Sequence, residues 1–372
     1  RGSLGASGDL APLAHLCLPL IGRGRVWNRT ADSNEPSATA LDRAGLQSIQ
    51  LQAKDGLALI NGTQLMLAYG VHVLERALRL ARNADLTATM SLEALQGSAK
   101  PCDSQVQALR PHPGQKRAAA NVRRLLADSE ILHAHRNCGK VQDPYCLRCV
   151  PQVHGASRDA LEYARSTIEI ELNSVTDNPL VTGSGDVLSA GNFHGQPLAL
   201  VLDHMALALA EFASIAERRI YLLLEGHDGL PKLLMQDTGI NSGFMIPQYT
   251  AAALVSENKV LAHPASVDSI PSSLGQEDHV SMGSISALKL LEILQNAERV
   301  LAVELLTAAQ ALDFRKPLRP GRGVEIAHAE TRKCIAHADT DYEVGDDLEA
   351  CNRLLRDGEL LEAIEAEMGQ LE

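Results

Sequence analysis

The sequence of 372 residues predicts a mainly α-helical protein, a bundle of long helices with a loop-rich portion that carries its chemistry. Three observations support this. Apolar residues make up 45% of the chain but aromatic ones only 3%, so the core is built of Ala and Leu, which suit close helix-on-helix contact. Apolar residues recur at helical spacing over residues 46 to 60, 63 to 83, 117 to 132, 157 to 174, 197 to 224, 248 to 262 and 280 to 313. The connections between them, around 24 to 45, 97 to 116, 137 to 156, 175 to 196, 226 to 247, 263 to 279 and 314 to 325, are polar, rich in Gly, Pro, Asn and Ser, and longer than a compact bundle needs. Long connections on a rigid frame usually carry function.

The elements follow in chain order. Leu10-Ala11-Pro12-Leu13-Ala14 begins a helix that Ser7 or Asp9 would cap. Asn61 stands before Gly62-Thr63 and the next helix, where its amide suits backbone donors. Short strands are expected only around Leu180 to Leu188, with Gly183-Ser184-Gly185-Asp186 as the hairpin turn. Pro197 fits the first turn of the 197 to 224 helix, where its missing N–H costs nothing. From Leu198 to Ile215 that helix is apolar on nearly every side, so a central, sheltered position is expected. Glu277 precedes the 280 to 313 helix, where a carboxylate complements the dipole. No stretch reads as an interdomain linker. The expected organisation is a site-bearing portion over 1–196, followed by a central bundle and C-terminal helices over 197–372.

A net charge of -12 and a pI of about 5.6 argue against a nucleic-acid or anionic-membrane surface, since phosphate binding draws on clustered cations. Arg123-Arg124 and Arg218-Arg219 read as solvated helix faces or ion-pair partners. No secretory leader is visible, and no uncharged apolar run reaches the roughly 18 residues of a membrane span. Seven cysteines, an odd count, point to free thiols in a reducing, cytoplasmic setting.

Gly5-Ala6-Ser7-Gly8-Asp9 is the segment with the most distinctive chemistry. In a tight bend the Gly8 nitrogen can attack the Ala6 carbonyl carbon, because glycine has no Cβ to block the compressed geometry. Loss of water closes a five-membered imidazolone. Loss of the Ser7 hydroxyl as a second water leaves an electron-poor methylidene carbon, an electrophile made without an external cofactor. A capping loop is the plain alternative. A nucleophile elbow requires glycine where Asp9 stands. A metal reading rests on His133, His135, Cys138, Cys146 and Cys149. Tyr145 interrupts the Pro-Cys-x-x-Cys pattern of zinc deaminases and the upstream His-x-Glu is missing, so no metal is expected.

Six ordered blocks carry a resemblance: Gly5-Ala6-Ser7-Gly8-Asp9 through His15, Leu59-Ile60-Asn61-Gly62-Thr63-Gln64, Gln142 through Cys149, Gly191-Asn192-Phe193-His194-Gly195, Asn241 through Ile246, and Gln276 through Met282. Along nearly its whole length the chain resembles the aromatic amino-acid ammonia-lyases. The resemblance implies their long-helix bundle, a homotetramer in which several subunits build each pocket, and the prosthetic group 4-methylideneimidazole-5-one (MIO) formed from Ala6, Ser7 and Gly8. Arg148 is the candidate carboxylate anchor, since a guanidinium fork matches a carboxylate bidentately. Tyr145 lies three residues before it and Gln142 three before that, so one turn or bend could aim all three the same way. The resemblance assigns this cluster to the substrate and prosthetic-group pocket, with Tyr145 donating a hydrogen bond or shuttling a proton. It also places Asn61 at the electrophile and the substrate's polar end, and Phe193 beside the electrophile, excluding water. Glu277 would hold an imidazole N–H; relatives acting on phenylalanine or tyrosine typically show glutamine there, so the implied reaction is L-histidine to trans-urocanate and ammonia, with a phenylalanine or tyrosine lyase or aminomutase, or an inactive truncated subunit, as the alternatives. Family members carry a further segment before the tripeptide with a tyrosine regarded as the catalytic base, so turnover is expected to need that segment too.

Overall fold

A computed structural model describes residues 1–372, which divide into two compact units, each assembled from three stretches of chain. The units therefore do not follow a linear division at residue 196. Four long helices, Gln64–Ala94, Val150–Glu171, Gln196–Leu224 and Gly283–Asp313, contribute residues to both. The chain is mainly helical, as its composition predicts.

The first unit comprises Arg1–His72, Ala164–His204 and Pro264–Lys289. It holds the short helices Leu10–Cys17, Ser37–Ala44 and Asp55–Ile60. The helix expected over 46 to 60 is reduced to its last part because the chain turns first: the Asp55 carboxylate accepts from Gln52 N (2.8 Å) and Lys54 is left-handed, with φ 73°. Leu180–Val181 and Val187–Leu188 form the expected hairpin, closed at Gly185 with φ 89°. A second hairpin, Arg25–Asn28 with Ser33–Pro36, corrects the expectation of strands at one place only. Its strands are largely polar and exposed and show no clean apolar alternation. What closes it is a side chain, Asn28 Oδ1, which accepts from Thr30 N (3.0 Å) and Ala31 N (3.1 Å).

The second unit comprises Val73–Tyr163, Met205–His263 and Leu290–Glu372. Its core is Leu- and Ala-rich, with Leu86, Met90, Phe212, Leu290 and Leu305 fully buried. The stretch 117 to 132 is two helices, Pro113–Leu125 and Glu130–Ala134, since Asp128 takes φ 63° and the Ser129 hydroxyl caps Leu132 N at 3.0 Å. Charge is buried here in paired sets. Arg219 donates to both carboxylate oxygens of Glu304 (2.5 and 3.0 Å), which also accept from Thr87 (2.7 Å) and Ser91 (2.8 Å). Asp85 accepts from Arg158 (2.5 Å) and Asn121 (2.9 Å) and bonds His154 Nδ1 (2.7 Å). Gln196–Leu224 is one of two helices long and apolar enough to cross a membrane by length and composition, but 67% of its most apolar window is covered by the protein itself. That is the property of a core helix.

Candidate active site

In the first unit the Ala6-Ser7-Gly8 bend is set by left-handed backbone: φ is 71° at Gly5, 32° at Ser7 and 84° at Gly8. Gly5 and Gly8 pair across it as an antiparallel bridge, and the Ser3 hydroxyl donates to Gly8 O (3.2 Å) while accepting from Gly5 N (3.0 Å). A left-handed serine stores strain on the order of 1–3 kcal/mol. Position 8 admits only glycine, because a Cβ there would lie 2.5 Å from the nitrogen and 2.7 Å from the carbonyl carbon of Gly62. Asp9 N donates to Gly62 O (2.7 Å), so the bend is seated directly on the Asn61-Gly62 block.

The expected helix caps are not made. The Leu10–Cys17 helix receives no side-chain cap; the fully buried Asp9 carboxylate accepts instead from Met66 N (3.0 Å), and burial pushes its pKa up to about 6. Ser7 Oγ donates to Glu277 Oε1 at 2.5 Å. Glu277 is likewise no helix cap, because the following helix begins only at Gly283. Its Oε2 accepts from Ser272 and Ser273, both at 2.7 Å, and the Ser7 hydroxyl followed by these two holds its carboxyl below the usual carboxylate range. Asn61, only 3% exposed, does not serve the next helix's donors: its Nδ2 donates to Asp177 Oδ1 and to Asn178 O, each at 3.1 Å. Phe193 is half-buried in a loop tied to the Gln276-to-Met282 block by its neighbour His194, which stacks on His279 at 6.0 Å and bonds its carbonyl oxygen through Nε2 (3.1 Å).

In the second unit Tyr145 and Arg148 share one short helix, Tyr145–Arg148, and the guanidinium lies 4.5 Å from the centre of the Tyr145 ring. Arg148 Nε donates to Asp143 O (2.9 Å), fixing one edge of the fork. Gln142 precedes Pro144 and lies outside that helix; it lines with Arg148, Lys100 and Gln152 a cavity of about 390 Å³. Tyr145 and Arg148 thus meet through the three-residue spacing of their helix, while Gln142 reaches the cavity beside Arg148 from the loop.

The sequence profile of the aromatic amino acid lyases matches residues 1–333. The chain belongs to the aromatic amino acid lyase family. A histidine ammonia-lyase from Myxococcus xanthus is 52% identical over 366 residues, covering 98% of this chain and 72% of that protein. Among solved structures, a histidine ammonia-lyase from Trypanosoma cruzi superposes with a TM-score of 0.91 at 41% identity, covering 98% of this chain and 69% of that one. A tyrosine aminomutase from Streptomyces globisporus gives 0.93 at 38%, covering 100% and 74%. The protein is thus an ammonia-lyase with a long-helix fold.

In this lyase the seven cysteines are free, and the thiol of Cys146 is pushed up by burial. Two groups that contact the candidate residues carry no sequence signal. Asp177 follows a helix end in an ordinary polar loop, and Ser272 and Ser273 read as loop serines. Only the tertiary structure brings them to Asn61 and Glu277.

Proposed function

We propose that this lyase eliminates ammonia from L-histidine to give trans-urocanate, using an MIO group formed from Ala6, Ser7 and Gly8. The carrying observation is the division of donors at Glu277: Oε2 accepts from Ser272 and Ser273, and Oε1 from Ser7. Ring formation bonds Gly8 N to the Ala6 carbonyl carbon. The Ala6 oxygen leaves as water with the Gly8 and Ser7 amide hydrogens, and the Ser7 hydroxyl leaves with its Cα hydrogen as a second water. Glu277 Oε1 then loses its serine donor while Oε2 keeps both of its own. An ionised carboxylate, held on one side, is left with an acceptor edge beside the group, and an imidazole N–H is the donor that suits it.

The left-handed bend and the glycine forced at position 8 fit such a ring. When formed, the group supplies an electrophilic exocyclic carbon. The remaining work falls to the chain's own side chains. Arg148, held by Nε and stacked on Tyr145, presents its terminal nitrogens to the substrate carboxylate. Gln142 supplies a neutral amide in the same cavity, Tyr145 a hydroxyl for hydrogen bonding or proton transfer, Asn61 an amide at the polar end, and Phe193 an apolar wall against water. A cytoplasmic location and a homotetramer are part of the reading; association is supported by exposed apolar side chains on two helices, Leu200, Leu207 and Tyr221 on one, Ile246, Tyr249 and Val260 on the other.

Mass analysis of the Ala6-to-Gly8 peptide from the full-length protein, paired with assays on histidine, phenylalanine and tyrosine, tests the reading. The expected result is a peptide short of two waters and urocanate as the unsaturated acid formed. An unmodified tripeptide in protein that still deaminates histidine, or cinnamate or coumarate without urocanate, overturns it.

A further inference from the structure

We infer that Asp177, with Lys54, is a positioning residue for the reaction, fixing the Asn61 amide so that its oxygen faces the substrate's ammonium group. The inference rests on the proposed lyase site and adds a part to it. Both hydrogens of the Asn61 amide nitrogen are committed, one to Asp177 Oδ1 and one to Asn178 O, each at 3.1 Å. The same Asp177 oxygen accepts from Asn178 N (2.7 Å), and Lys54 Nζ pairs with the other oxygen. Burial pushes the Asp177 pKa up, but Lys54, Asn178 N and Asn61 outweigh it and hold the carboxyl below its ordinary value. Donor and acceptor ends of Asn61 are thereby assigned by their neighbours: two acceptors face the nitrogen, so the oxygen points away from them.

That oxygen is buried and has no hydrogen-bond partner within the chain. A buried amide oxygen without a donor is costly, so its persistence at a site asks for a ligand donor. Its position narrows the choice. Gly62, the next residue, is packed against Gly8 on one side and the Thr176 carbonyl on the other, so Asn61 lies between the cyclising bend and the Asp177 loop. An α-amino acid brings one strong N–H donor apart from its side chain, the α-ammonium, and it is the group that must leave.

Asp177→Asn keeps shape but offers Asn61 a donor as well as an acceptor, which frees the amide to turn over. Lys54→Met removes the charge that holds Asp177, and Lys54→Arg restores it. Each variant of the full-length protein would be analysed for the mass of the Ala6-to-Gly8 peptide, for KM and kcat with L-histidine, and for inhibition by imidazolepropionate, which lacks the amino group. Expected for Asp177→Asn and Lys54→Met are normal loss of two waters, a KM raised about tenfold or more, an inhibition constant for imidazolepropionate within about twofold, and recovery in Lys54→Arg. Unchanged KM, equal weakening of substrate and analogue, retention of the two waters, or no recovery with arginine would each overturn the inference. If the unsubstituted protein acts on tyrosine instead, the histidine reading falls, and tyrosine with 3-(4-hydroxyphenyl)propionate puts the same question to Asp177.

Discussion

Glu277 keeps its shape but loses its charge when replaced by glutamine, which makes it the sharpest single-residue test of substrate choice. The Ser272 and Ser273 hydroxyls can still bond an amide oxygen, so the loop geometry survives the change. On the proposed reading the loss is a charge-assisted bond to the imidazole, and kcat/KM for L-histidine is expected to fall roughly a hundredfold while the Ala6-to-Gly8 peptide still loses two waters. Urocanate production by Glu277→Gln at full rate would remove the role given to this carboxylate. Ser7→Ala asks the complementary question: it should leave the peptide without the second water loss and abolish turnover, as read by peptide mass and urocanate absorbance. Ser7, Asn61, Arg148 and Glu277 were legible in the sequence as candidates, Ser7 and Arg148 by the chemistry of their residue types, Asn61 and Glu277 by the family resemblance of their blocks. Their partners were not. Ser7 meets Glu277 across 270 positions and Asn61 meets Asp177 across 116, separations at which no periodicity carries information.

Among the elements, long helices announce themselves through sustained apolar spacing, and the 197 to 224 and 280 to 313 stretches are found as Gln196–Leu224 and Gly283–Asp313. Breaks and polar hairpins depend on single side chains and left-handed residues, so the split at Asp128 and the Arg25-to-Pro36 hairpin left no comparable signal. One element links the frame to the site. Arg219 Nη1 donates to Cys146 O (3.3 Å) from within its fully buried pair with Glu304, so the core of the second unit supports the short helix that bears Arg148. Breaking a buried pair by removing one partner strands the other charge, at about 3–5 kcal/mol. Arg219→Met should therefore lower the unfolding free energy obtained from denaturant melts by that much and raise KM for the amino acid. Removing the exposed Lys333 from its pair with Glu330 should change stability by less than about 0.5 kcal/mol. Equal effects from the two substitutions would contradict the assignment of Arg219 as a structural support.

For the whole molecule, opposed carboxylate shifts shape the pH dependence of stability. Asp85, which burial would raise, is instead held below its ordinary 3.8 by Arg158 and its other partners; its contribution is present above that value and lost as pH falls through the folded one. Glu93 runs the other way. It is fully buried, accepts from the Ser129 hydroxyl and from Gly321 N, and is raised by burial from 4.5 to about 7. The folded chain therefore binds this proton more tightly than the unfolded one, and stability present below pH 4.5 is lost as pH rises through about 7. His154 opposes it in part of the same window, since burial lowers its pKa from 6.5 and its neutral form is lost on acidification. A stability profile of the unsubstituted protein mixes these groups, but a comparison with Glu93→Gln isolates one of them. The amide retains an acceptor for Ser129 and Gly321 and cannot ionise, so the variant should lose less stability between pH 5 and pH 8 than the parent, by up to roughly 3 kcal/mol. Denaturant midpoints of both proteins at the two pH values measure that difference, and parallel profiles would mean that Glu93 does not ionise in the folded chain with the raised value its burial dictates.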